Sequence, residues 1–335
     1  MRVRGINYDT GFAGGSRTNF EPELVARELG IIADDLHCTA VRVSGADPER
    51  LSVAGRLALD AGLELWYAPF PHDLTKAELL PYFAECAARA EQLRQRSPDV
   101  VLVLGCELTL FQHGFLPGAD FMERIDHAVS SHALVGPTSA TLSRQLNELL
   151  TEAVEVARSE FGGQVTYASG KWEDVDWTPF DIVSVDLYRE QANKKGYPLQ
   201  LRTYKTHGKP VAVTEFGCCT FRGAADRGGT GWMILDREAS PPRIQDGFVR
   251  DEAEQAQLLQ ELLALFEAED IDSAFWFTFA GYEFPHRDEP SLDLDMASYG
   301  VVKMLEGRQG ETYPDVPWEP KESFRALARI YAAES

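Results

Sequence analysis

Val100-Val-Leu-Val-Leu-Gly-Cys-Glu107 is an apolar run with no polar alternation that stops on a carboxylate. A strand with one wet face alternates polar and apolar side chains; a run like this one reads as a strand covered on both faces, the habit of a parallel sheet wrapped in helices. Pro210-Val-Ala-Val-Thr-Glu215-Phe-Gly217 repeats the pattern and also meets a glutamate at its end. Outward from these two, similar runs fall at Val3–Tyr8, Cys38–Ser44, Leu63–Phe70, Val165–Ser169, Ile182–Leu187 and Ser273–Thr278. Between them lie stretches with apolar residues at helical spacing: Glu21–Asp35, Pro48–Ala61, Thr75–Arg96, Ala119–Ser131, Arg144–Phe161, Leu199–His207 and Glu252–Glu269, with Ser323–Ala333 last. Strict alternation of eight strands and eight helices predicts an α/β fold, a (β/α)8 TIM barrel occupying residues 1–335 as a single domain. An open doubly wound sheet is the other architecture for such a pattern, but no GxGxxG follows the first strand.

The 32 basic and 53 acidic side chains leave a net charge of −21. Nucleic acid and anionic membranes both ask for a cationic face, so neither is an expected partner. No apolar run is long enough for a membrane span, and the opening reads as a first strand rather than a signal peptide, which predicts a soluble, cytoplasmic chain. Five cysteines without a CxxC suggest neither a disulfide framework nor a zinc finger. The histidines form no HxH or HExxH, so neither a metal nor another cofactor is expected.

Glu107 and Glu215 carry the chemical reading. A carboxylate at the end of a buried barrel strand sits at the mouth, and a charge there needs compensation or a task. The two strands are fourth and seventh, three apart around an eight-membered ring, so their side chains converge across the opening. Such a pair can divide the work, one carboxyl protonated and donating, the other ionised. Two long segments, about 216–250 and 279–320, follow strands and therefore belong to the same face. The first is rich in glycine and holds Trp232, which suits either a mobile lid or a surface insertion.

With these residues in place the chain resembles the clan A retaining glycoside hydrolases. Gly5-Ile6-Asn7-Tyr8 is similar to their first strand, Val41-Arg42-Val43-Ser44 to the second, and Thr214-Glu215-Phe216-Gly217 to the nucleophile motif. Phe275-Trp276-Phe277-Thr278, Asp295-Met-Ala-Ser-Tyr-Gly-Val-Val302 and Lys321-Glu-Ser-Phe-Arg-Ala-Leu327 resemble the eighth strand, the stretch after it and the last helix. The resemblance implies a carbohydrate or glycoside substrate, with Glu107 as acid/base and Glu215 as nucleophile. It further implies that Arg42 supports the nucleophile, that Tyr188 hydrogen-bonds it, and that Trp276 floors the sugar subsite. His72, Trp172 and Trp232 are further candidates for sugar contacts. Two positions depart from the pattern. Cys106 stands where the clan has an asparagine for the sugar 2-hydroxyl, and no histidine accompanies Tyr188. The departures leave open a barrel that binds carbohydrate without cleaving it, as in a sensing or abortive-infection-type defence role, or one that runs an isomerase or transglycosidase reaction. The oligomeric state is not legible in the sequence.

Overall fold

In the computed structural model, which describes residues 1–12, 15–131, 133–134 and 136–333, eight parallel strands close into a barrel. They are β1 (Val3–Asp9), β2 (Ala40–Gly45), β3 (Glu64–Pro69), β4 (Val100–Cys106), β5 (Gln164–Gly170), β6 (Val183–Asp186), β7 (Val211–Phe216) and β8 (Ser273–Trp276). The ring runs β1 through β8 in order and closes by pairing β8 with β1, Val3 opposite Ser273 and Ile6 opposite Trp276. The expected alternation is therefore the observed one.

The interior is filled by side chains from alternate positions. Val3, Ala40, Trp66, Val101, Val103, Ile182, Ala212 and Phe275 pack as one cluster inside the ring. Trp66 and Phe275 meet with ring centroids 4.7 Å apart. Gly5 has to be glycine here, because a Cβ would lie 2.2 Å from the Phe275 ring. The alternate set faces the helices and forms the larger core, in which Ile6, Val41, Val43, Leu65, Leu102, Val185 and Val213 are all fully buried. Each such aliphatic side chain contributes about 1.5–3 kcal/mol on burial, which is why neither face of a strand carries polar alternation.

The helices begin where the chain supplies caps. Asp47 accepts from the Glu49 and Arg50 amides ahead of Pro48–Asp60, with Pro48 at the first position. Thr75 and Glu78 form a capping box on Lys76–Arg94. The helix expected over Arg144–Phe161 starts earlier, at Gly136.

The two long segments are more structured than their sequence suggests. The β7 segment contains a short 3-10 stretch over Gly228–Ile234 and a two-residue hairpin pairing Leu235–Asp236 with Arg243–Ile244. The β8 segment supplies a three-stranded sheet of Ala280–His286, Val302–Leu305 and Trp318–Pro320. Buried charges lock the two together. Arg250 donates to Glu252, Asp293 and Asp295, and Lys321 pairs with Asp295 at 2.8 Å. Tyr299 donates to the Gly228 carbonyl and accepts from the Gly231 amide. The glycine-rich stretch is thus pinned to its neighbour. Among the described residues no helix is long and apolar enough to cross a membrane.

Candidate active site

The end of β4 is irregular. Its pairing with β5 shifts register between Val103 and Cys106, and Gly105 takes φ +82°, a left-handed conformation suited to glycine. Glu107 follows at φ +41°, also left-handed, which costs a non-glycine residue of order 1 kcal/mol or more. The kink is held from outside. Glu107 N donates to the Ala168 carbonyl, and Leu108 N donates to the Tyr167 hydroxyl at 2.8 Å. Buried Glu173 accepts from the Thr109 amide and hydroxyl, the Tyr167 hydroxyl and the Gly170 amide. Four donors on one carboxylate fix the turn that presents Glu107.

Across the ring, Glu215 is clamped on both oxygens. Arg42 Nη1 donates to Oε1 at 2.7 Å, and the Tyr188 hydroxyl donates to Oε2 at 2.9 Å. The same Arg42 nitrogen donates to Asn7 Oδ1 at 2.8 Å, while Asn7 Nδ2 donates to the Thr214 carbonyl at 2.9 Å. Arg42 is thereby anchored to the first strand as well as the seventh. Burial works against its charge, but Cys106, Glu215 and Asp186 outweigh that and keep it charged.

A third carboxyl completes the group. Asp186, the last residue of β6, accepts from the Cys106 thiol at Oδ2, 3.1 Å away. That sulfur lies 3.7 Å from Glu215 Oε1. Glu107, Asp186 and Glu215 therefore face one fixed cation. Burial, followed by the Asp186 and Glu215 charges, holds the Glu107 carboxyl well above the usual range. Burial and then Glu215 push Asp186 up to about 8. Burial also raises the Cys106 thiol, which stays protonated. One proton donor beside a paired carboxylate is the arrangement that general acid and nucleophilic catalysis both require.

Arg42, Glu107, Tyr188 and Glu215 are thus brought together. The remaining predicted contacts are placed less uniformly. Trp172 is half-buried and donates from its indole to Thr109 Oγ1 at 3.0 Å, beside the Glu107 turn. Trp232 lies under the Arg237 guanidinium, 4.5 Å from ring centroid to carbon, and Arg237 reaches Met122 in the helix Phe121–Ser131 that follows β4. That contact joins the β7 segment to the segment between β4 and β5. His72 sits in a box of Phe12, Phe70, Phe111 and Phe121, and neither ring nitrogen has a partner. Burial lowers its pKa to about 4, so the ring is neutral.

Trp276 is the correction. It is fully buried, packed edge-on against Phe216 and donating to the Tyr299 carbonyl, on the outer side of the strand. Alternation makes this necessary: Phe275 points into the barrel, so Trp276 points out. The half-buried aromatic beside the site is Phe277, whose ring meets Tyr188 and Tyr299 edge-on. The sequence reading also missed Asn7, Tyr167 and Glu173 as supports. Asp186 carried the same signal as the two glutamates, a carboxylate ending a buried strand. Glu173, on a loop, gave none.

Cys106, Asp186 and Glu215 place a sulfur and two carboxylate oxygens within 4.8 Å of one another, a spacing that metals use. The fit is poor, because Arg42 already lies against Glu215 Oε1 and the thiol is held protonated.

No protein-family model matches the chain, and no curated protein does. Solved structures do. A GH113 β-1,4-mannanase superposes with a TM-score of 0.64 at 15% identity over 99% of both chains. The β-mannanase of Alicyclobacillus acidocaldarius gives 0.61 at 15% identity, over 99% of this chain and 98% of its own. A β-glucuronidase from Ruminococcus gnavus gives 0.58 at 14% identity, and the match spans 49% of that longer chain. The chain has the (β/α)8 fold of these glycoside hydrolases. At such identities the likeness is one of fold, and the chemistry has to be argued from the site.

Proposed function

We propose that this protein is a retaining glycosidase that cleaves β-glycosidic bonds by double displacement, with Glu215 as nucleophile and Glu107 as general acid and base. The observation that carries the reading is the asymmetry of the two carboxyls. Glu215 is paired with Arg42 and Tyr188 on opposite oxygens, while Glu107 is half-buried beside other acids, which hold its carboxyl well above the usual range. In the first step a Glu215 oxygen attacks the anomeric carbon, the glycosidic bond breaks, and Glu107 passes its proton to the departing oxygen. In the second, water gives a proton to the Glu107 carboxylate and its oxygen displaces Glu215, which leaves as carboxylate. Two inversions retain configuration, and the mechanism calls for carboxyls about 5–5.5 Å apart. The substrate is a small or medium glycan or glycoside, with Trp232, packed under Arg237, as a further candidate for sugar contact.

The test is labelling by activated 5-fluoro glycosyl fluorides, followed by peptide mapping. The expected adduct is on Glu215, and Glu215→Gln abolishes it. Turnover of aryl β-glycosides should fall by several orders of magnitude in that variant, more than about 4 kcal/mol of transition-state stabilisation. Sugar binding with neither labelling nor turnover would instead establish the non-hydrolytic reading.

A further inference from the structure

Of the three carboxyls in the site, two have tasks under the proposed mechanism and one does not. Asp186 Oδ2 is met by the Cys106 thiol, a weak donor, but Oδ1 is buried without any hydrogen-bond partner. The Thr214 hydroxyl, on the neighbouring strand, is the nearest donor to this carboxyl, yet neither Asp186 Oδ1 nor Thr214 Oγ1 completes a hydrogen bond of ordinary geometry. Native interiors rarely leave a carboxylate oxygen unmet, and such an orphan points to a donor that arrives with a ligand. The charge points the same way. Arg42 is the cation of the cluster and its hydrogen bonds go to Glu215 and Asn7, so Asp186, with its pKa pushed up to about 8, ionises fully only when a further cation arrives beside it.

Position says where on the substrate that donor sits. Glu215 has to approach the anomeric carbon, whose ring neighbours are the ring oxygen and C2, and of those C2 alone bears a polar substituent. The sulfur of Cys106, the residue immediately before Glu107, lies 3.7 Å from Glu215 Oε1, and an Asp186 oxygen lies within 4.8 Å of both. The C2 substituent therefore falls next to Cys106 and Asp186. A carboxyl oxygen accepts from a hydroxyl as well as from an ammonium, but only the ammonium also brings the positive charge that three clustered acids around one arginine lack. A bare metal ion would satisfy the charge too, but would press against Arg42 in the same small volume; an ammonium carried on C2 approaches from the substrate side.

Resting on the glycosidase reading above, we infer that the site is built for 2-amino-2-deoxy glycosides, with Asp186 as the residue that recognises the cationic C2 amine. An N-acetyl group removes the charge and adds bulk against two buried side chains, so N-acetylated sugars are poor substrates.

The experiment compares kcat/KM for the 4-nitrophenyl β-glycosides of glucosamine, galactosamine and mannosamine with their 2-hydroxy and N-acetyl counterparts. Free glucosamine and glucose are compared as competitive inhibitors alongside. The expected result is at least a tenfold preference for the 2-amino sugar within a matched pair, and tighter inhibition by glucosamine than by glucose. Asp186→Asn should collapse or invert that ratio, whatever it does to the absolute rate. The comparison within wild type stands even where the variant folds poorly. A preference for the 2-hydroxy sugars would overturn the inference and leave the glycosidase reading in place. No turnover of any glycoside together with no labelling of Glu215 would overturn that reading, and this inference with it.

Discussion

Replacing Arg42 by methionine removes a buried cation while keeping much of the side-chain volume. Arg42 is 1% exposed and donates to Glu215 at 2.7 Å and to Asn7 at 2.8 Å. With charge centres about 4 Å apart and an effective dielectric of about 20, the attraction amounts to about 4 kcal/mol. Breaking a buried pair from one side costs about 3–5 kcal/mol, because the other charge is left uncompensated. In the variant that charge is Glu215, with Asp186 and Glu107 as neighbours, and taking up a proton relieves it. The folded variant then holds a proton that an unfolded glutamate releases near pH ~4.3. More protons bound in the folded state means that stability falls as pH rises. Urea unfolding should show Arg42→Met less stable than wild type by about 4 kcal/mol at pH 8 but by only about 1 kcal/mol at pH 5, an average of about 1 kcal/mol per pH unit, below the limit of about 1.4 for one proton. Adding Glu215→Gln removes the stranded charge, so the double variant should regain at least about 2 kcal/mol at pH 8 and lose the pH dependence. Equal deficits at both pH values, or strict additivity in the double variant, would refute the electrostatic account and make Arg42 a packing residue.

His72 gives a stability change at the acid end. Its pKa falls to about 4 in the folded protein, so below the usual imidazole range the unfolded chain binds the proton that the folded chain refuses. Between pH 7 and 5 wild type should lose about 2 kcal/mol relative to His72→Phe, read by urea unfolding at the two pH values; parallel curves would show that the aromatic box does not hold the ring neutral. The two aromatic residues at the end of β8 separate stability from binding. Trp276→Ala should cost about 3–5 kcal/mol of stability, as for other buried large-to-small changes. Phe277→Ala should cost far less and act chiefly on KM; the opposite partition would return Trp276 to the subsite floor.

The particular residues show why some of this was legible in one dimension and some was not. Strands such as Val100–Cys106 and Val211–Phe216 are covered on both faces, and that environment writes itself into composition: uninterrupted apolar residues, then a carboxylate where the strand reaches the mouth. Eight such runs separated by helices admit essentially one closed arrangement, so the barrel and the convergence of Glu107 and Glu215 follow from order along the chain. Trp276 fails for a reason of parity. A motif shifted by one residue still looks similar in sequence, but one step along a strand turns a side chain to the opposite face.

What the chain order determined is therefore the architecture, the face on which chemistry can occur and the two acids that end their strands there. Only the tertiary structure decided what surrounds them. Cys106 and Asp186 are 80 positions apart and Arg42 and Glu215 are 173 apart, yet each pair is in contact. Periodicity is a local signal, set by each residue's own burial. The protonation of Glu107, the clamp on Glu215 and the unmet oxygen of Asp186 depend on distances between strands, and those exist only once the ring has closed.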